Sequence, residues 1–156
     1  MNGILGVRAE QAAVHWAIVQ GALNRPILHA HGSEVAPESY NEGESLVWIR
    51  KRLVYIIDTF KPAKVAVRYP EGNAQGANKD WAKARCRVEG VVLEAAGSAN
   101  LPTVTGAMNT FGKHSEIKSP KEELKGDDLR GLDWSKHKDS KLREAIFVAA
   151  SLLQKG

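Results

Sequence analysis

Lys64-Val65-Ala66-Val67-Arg68 is the stretch whose reading decides the fold. Val65-Ala66-Val67, three apolar residues between two cations, reads as a short strand. On its N-terminal side, Leu46, Ile49, Leu53, Ile56, Ile57 and Phe60 recur at steps of three and four, one face of an amphipathic helix that Phe60-Lys61-Pro62 ends. A strand reached through a helical crossover lies parallel to an earlier one, here the first. On its C-terminal side, the Gly- and Asn-rich loop Glu71 to Asn78 leads into a second helix marked by Trp81, Ala84, Val88, Val91, Val92 and Ala95. This unit makes the chain an α/β protein.

Three further strands precede the unit. Ile4-Leu5-Gly6-Val7 is apolar and uncharged. Val14 to Val19 is β-branched and aromatic, and Pro26 to His31 starts on a proline where the missing N–H is tolerated. The connections, Glu10 to Ala12 and Gly21 to Asn24, are short enough to make an antiparallel meander. Glu34 to Gly43 reads as a loop. After the second helix, Leu101 to Thr105 is a short fifth strand, and Leu142, Ala145, Ile146, Ala149, Leu152 and Leu153 mark a closing helix. The expected fold is a mixed five-stranded sheet, a three-strand antiparallel meander plus two parallel strands, flanked by helices. A single domain is expected over 1–156, with a polar segment at about 106–139. Ser119 as N-cap and Pro120 at N1 predict a short helix there, beside a mobile part.

The 22 Lys and Arg against 18 Asp and Glu give a formal charge of +4, and the excess is uneven. Residues 1–60 hold 5 basic and 6 acidic side chains, and residues 61–156 hold 17 and 12. A polyanion-binding face would draw on the second part. Cys86 is the single cysteine, read as a small helix residue; without a disulfide partner in the chain it suits a reducing compartment. No apolar run has membrane-span length and Met1-Asn2-Gly3 opens no secretory signal, so cytoplasm is the expected location. Walker loops, dinucleotide fingerprints, zinc-spaced cysteine pairs and nucleophile elbows are not found.

The order of elements resembles RuvC-type Holliday-junction resolvases, a branch of the RNase H-like superfamily, over nearly the whole chain. Ile4 to Val7 resembles that family's first strand. Leu46 through Val67 resembles its "LxxIxxxLxxII…P…VAIE" unit, Asn73 through Ala96 its "N…K…AR…G…LLAA" segment, and Glu144 to Ala149 its "DALAIA" helix. The resemblance implies an RNase H-like fold, a DNA partner and a homodimer paired through the second helix. It also implies four carboxylates around two Mg²⁺ ions. Those four positions fall on Arg8, Arg68, Lys141 and Glu144, and only Glu144 carries a carboxylate.

Two guanidinium groups at the centre of a sheet need counter-charge, so the expectation is an ion cluster in which Glu144 pairs with Arg8, Arg68 or both. No catalytic residue is assigned. The leading expectation is a catalytically degenerate nucleic-acid binder, a pseudoenzyme without a cofactor, that uses Arg8, Arg68, Lys79, Lys83 and Lys141. Two alternatives stay open. One is a metal-dependent endonuclease that holds Mg²⁺ or Mn²⁺ on relocated acids Glu10, Glu71, Asp139 and Glu144. The other is a protein-interaction scaffold without activity.

Other constellations carry weaker readings. His29 and His31 are placed on one strand face, with His15 on the neighbouring strand, as histidines of the meander's outer face rather than zinc ligands. His114 and His137 are candidate general bases under a hydrolase reading. Lys79, Lys83, Arg85 and Arg87 form a basic run around Trp81, which stacks on a base in a nucleic-acid reading and packs in the apolar stripe in a structural one. Trp48 is read as packing; Trp134 is a further aromatic.

Overall fold

A computed structural model of the chain describes residues 2–71, 76 and 79–156. Three strands open it: β1 (Ile4–Glu10), β2 (Ala13–Ala22) and β3 (Arg25–Val35). Then come α1 (Glu42–Phe60), β4 (Lys64–Arg68), α2 (Asp80–Ser98) and β5 (Thr103–Gly106). The sheet order is β3-β2-β1-β4-β5. The β1–β2 and β2–β3 pairs are antiparallel, and the β1–β4 and β4–β5 pairs are parallel. The meander, the two crossovers and the partner of β4 are as the sequence implies.

Side-chain alternation along β1 and β4 builds two cores on opposite faces of the sheet. Leu5, Val7, Ala9, Val65 and Val67 pack with Ile49, Leu53 and Ile56 of α1 and Val88 and Val92 of α2. Ile4 and Ala66 pack on the other face with the closing helix α5 (Ser140–Ser151), through Ala145, Ile146 and Ala149. Gly6 sets how close α5 comes. A Cβ there would lie 2.0 Å from the Ala145 carbonyl oxygen, so only glycine admits this approach.

The structure revises several local expectations. β3 runs to Val35, so Glu34 and Val35 belong to a strand rather than a loop. α1 begins at Glu42 behind a capping box, in which the Asn41 side chain accepts the Glu44 N–H and the Glu44 carboxylate accepts the Asn41 N–H. The stretch 106–139 carries α3 (Met108–Ser115), the expected short helix α4 (Pro120–Glu123) and a hairpin of β6 (Asp128–Leu129) and β7 (Leu132–Asp133). Arg130 and Gly131, with φ of 50° and 90°, turn that hairpin.

This stretch is packed, because Phe111, Leu129 and Trp134 are buried in the α5-side core. Buried Arg143 of α5 organises it. Its guanidinium donates to the carbonyls of Leu124 (2.9 Å), Gly126 (2.7 Å), Trp134 (2.9 Å) and His137 (2.5 Å). One rigid cationic fork thereby satisfies the backbone of a segment too short of apolar residues to order itself. No helix among the described residues is long and apolar enough to cross a membrane.

Candidate functional site

Arg8 ends the apolar run of β1 and sits in register beside Arg68 of β4. With the Gly6 contact fixing α5 against β1, Glu144 reaches both. Its Oε1 lies 2.8 Å from Arg68 Nε and its Oε2 3.1 Å from Arg8 Nε. The Arg8 contact is a hydrogen bond. The Arg68 Nε–H is not aligned on the oxygen, so that contact is an ion pair without a hydrogen bond. The three side chains are only 15%, 12% and 11% exposed for Arg8, Arg68 and Glu144. Each arginine also donates to a neighbouring carbonyl, of Ala9 and Tyr69 respectively.

The other acids singled out in the sequence surround this cage, each against a cation or a histidine. Glu71 lies 3.5 Å from Arg68 Nη2. β1 extends to Glu10, which shares the face of Arg8 and contacts His15 Nε2 and Lys141 Nζ, the latter at 3.6 Å. Burial raises the Glu10 pKa, but the His15 hydrogen bond and charge and the Lys141 ammonium outweigh it and leave the pKa below the usual carboxylate value. Asp139 caps α5 by accepting the Lys141 N–H and lies 3.9 Å from His15 Nδ1. His15 is itself buried, between Glu10 and a 2.8 Å contact with Ser33 Oγ, and so is not an outer-face histidine.

A second pair at this site lies outside the sequence expectations. Arg85 and Glu89 of α2 are buried, 3.1 Å apart, and Arg85 also donates to the Arg68 carbonyl. Burial, then the nearby Arg8 charge, lowers the Arg85 pKa to about 10, and burial raises that of Glu89. The spacing of four between Arg85 and Glu89 is the signal available in the sequence. Arg85 therefore leaves the expected basic run, and Arg87 is occupied by Glu42 at 2.7 Å. Lys79 and Lys83 remain exposed. Asn73 lies outside the described residues.

Trp81 is 53% exposed rather than packed. With Tyr69, Pro70, Cys86, Gly90 and Leu93 it lines a largely apolar cavity of about 600 Å³ beside Arg68 and Arg85.

The histidines divide. A bulge in the β2–β3 pairing at Ile18/Val19, where Leu28 and Ala30 are both paired and His29 is extra, breaks the alternation. His29 therefore meets Phe60 of α1, whereas His31 meets His137 at a ring distance of 4.6 Å. They do not share a face. His114 lies near Phe111, with a ring distance of 6.3 Å. Among the described residues, no group of three or more His, Cys, Asp and Glu side chains is arranged to hold a metal ion.

No protein-family model matches this sequence, and no curated protein sequence matches it. Solved structures do. RuvC of T. thermophilus, in complex with Holliday junction substrate, matches with a TM-score of 0.72 at 18% identity, over 97% of this chain and 92% of RuvC. A second Thermus thermophilus RuvC structure matches with a TM-score of 0.71 at 18% identity, over 95% and 91%. Ydc2, the yeast mitochondrial Holliday junction resolvase, matches with a TM-score of 0.61 at 12% identity, over 96% and 78%. At these identities the likeness is one of fold, and the fold is the RNase H-like one of RuvC.

Proposed function

We propose that this chain, built on the RuvC fold, binds branched or duplex DNA without metal-dependent cleavage and does so as a homodimer. The observation that carries the reading is the pair of ion contacts closing on Glu144 from Arg8 and Arg68. Mg²⁺ takes oxygen ligands. A divalent ion about 4 Å from a guanidinium is repelled by about 8 kcal/mol at an effective dielectric of about 20. One carboxylate at the same distance returns about as much, and here Glu144 is already closed on by both guanidiniums while Glu10, Glu71 and Asp139 each face one of the protein's own cations or His15, which disfavours the ion. The donor set, one carboxylate among Arg8, Arg68 and Lys141, does not fit the two-metal site that the resemblance implies.

The cage is also not a positive patch. Arg8, Arg68, Arg85 and Lys141 stand among Glu10, Glu71, Glu89, Glu144 and Asp139. In this reading Arg8 and Arg68 form the wall of the binding surface, and phosphate contacts fall to the exposed Lys79 and Lys83 and to the partly exposed Lys141. The outer face of α2, with exposed Trp81 beside an apolar cavity, is the surface that supports pairing of two copies. The reading includes a role in DNA recombination or repair, which the structural neighbours support, two of them being named for Holliday junctions.

The test is a four-way DNA junction and a matched duplex, each titrated with the protein from about 50 to 200 mM salt and then incubated with Mn²⁺. Expected are binding that weakens steeply with salt and intact DNA. Mn²⁺-dependent cleavage abolished by Glu144→Gln would favour the relocated-acid nuclease. No binding at low salt would favour a scaffold that makes only protein contacts.

A further inference from the structure

Ser33, exposed on β3, ends a chain of contacts that DNA binding leaves unused. Its Oγ lies 2.8 Å from Nδ1 of buried His15, and His15 Nε2 meets the Glu10 carboxylate. A hydroxyl, an imidazole and a carboxylate in this order are a nucleophile, its base and the group that orients the base. Strand pairing brings them together. The Ala36 N–H donates to the Ala12 carbonyl at 3.0 Å, just past the Ala13–Val35 pair. Bonded and non-bonded pairs alternate along an antiparallel ladder, so Ala13–Val35 and His15–Ser33 are non-bonded pairs. Side chains of such pairs stand closest, which accounts for the short Ser33–His15 contact. The Ser33 N–H is then turned away from β2, and β3 is the edge of the sheet, so this donor faces outward for an incoming oxygen.

Charge fixes the proton. Burial raises the Glu10 pKa, but His15 and Lys141 outweigh it and keep the group a carboxylate. A carboxylate only accepts, so the neutral ring carries its hydrogen on Nε2 and presents a bare Nδ1 to the Ser33 hydroxyl. The imidazolium formed when Nδ1 takes that proton has Glu10 on one side and Asp139 Oδ2 at 3.9 Å on the other, which stabilises it.

We propose that Ser33, His15 and Glu10 form a nucleophilic triad that hydrolyses activated carboxylic esters. Ser33 Oγ attacks the acyl carbon as its proton passes to His15 Nδ1, and the Ser33 N–H receives the developing oxyanion. Collapse of the tetrahedral intermediate breaks the ester C–O bond. The leaving oxygen takes the proton from Nδ1, and an acyl-serine remains. Water then attacks the acyl-serine, giving a proton to Nδ1 that returns to Ser33 Oγ as the acid departs. With one backbone donor for the oxyanion, the class that fits is aryl esters of small acids, whose leaving groups depart without help. This activity does not depend on the DNA reading.

The experiment has two arms. The full chain is treated with diisopropyl fluorophosphate and mapped by peptide mass spectrometry. Turnover of p-nitrophenyl acetate is followed for the unaltered chain, Ser33→Ala and Glu10→Gln, with thermal melts to establish that the variants fold. Expected are a diisopropylphosphoryl group on Ser33 and a kcat about 100-fold lower in Ser33→Ala. Glu10→Gln admits the other tautomer of His15, so kcat should fall while KM stays unchanged. An unlabelled Ser33, no turnover above the buffer rate, equal turnover in Ser33→Ala, or an unchanged kcat in Glu10→Gln would overturn the proposal. The labelling arm is read on the unaltered protein and so holds whether or not a variant folds.

Discussion

Replacing Glu144 with glutamine keeps the shape of the cage and removes its one central negative charge. The wild-type carboxylate faces two guanidinium Nε atoms at 2.8 and 3.1 Å, with all three side chains at most 15% exposed. The amide retains one accepting oxygen and turns two N–H donors toward cations that have nothing to accept with. Removing one partner of a buried ion pair costs about 3–5 kcal/mol, because the remaining charge is left uncompensated. Glu71 at 3.5 Å from Arg68 and the buried Glu89 soften the loss, so about 3 kcal/mol is the expected destabilisation. For a chain of 156 residues this lowers Tm by about 6–12 °C. Urea unfolding and calorimetry at pH 7 read it directly. A triple variant, Glu144→Gln with Arg8→Gln and Arg68→Gln, should recover part of the loss, since it removes the stranded charges as well. A single-variant loss under about 1 kcal/mol, or a triple variant no more stable than the single one, would refute the claim that Glu144 holds the two arginines together.

Gly6→Ala should destabilise by about 1–3 kcal/mol or more in urea unfolding, because its Cβ would meet the Ala145 carbonyl at 2.0 Å and push α5 off the sheet. Arg143→Met should speed amide hydrogen exchange selectively over residues 124–137, whose carbonyls it holds, before the sheet is affected. Burial, then the neighbouring His137, holds the His31 pKa below 6.5 in the folded chain. The unfolded chain therefore binds the extra proton, and stability should fall as pH drops below about 6.5, a dependence that His31→Gln reduces in melts from pH 5 to 8. Lys79→Ala with Lys83→Ala should weaken junction and duplex DNA alike and flatten the log–log salt slope by about 1 for each phosphate no longer neutralised.

The sheet is legible because β1 and β4 are apolar runs buried on both faces and the helix between them shows its period plainly. The same alternation misplaces His29, since a bulge shifts the phase by one residue and leaves no mark in composition. Trp81 has the right phase for the apolar stripe, but periodicity gives a direction and not whether anything lies there to meet it. The stretch 106–139 reads as one short helix beside a mobile part because much of its order comes from outside itself, from Arg143 on α5 and from the core that Trp134 enters. In the candidate site, the meeting of Arg8, Arg68 and Glu144 is legible because the family resemblance places all three at one site and buried cations require a counter-charge. The burial of Arg85 with Glu89 does not, because cations in a run read as surface until their partners are placed. The Asn41–Glu44 capping box and the Arg85–Glu89 spacing are sequence signals whose meaning emerges only with the structure.

Calorimetric titration of the protein with Mn²⁺ tests most directly whether guanidinium groups stand in for the metal site. The expected result is no saturable heat at millimolar ion, with binding created only when Arg8→Asp and Arg68→Glu are introduced together. A stoichiometric isotherm in the unaltered protein, lost in Glu144→Gln, would contradict it.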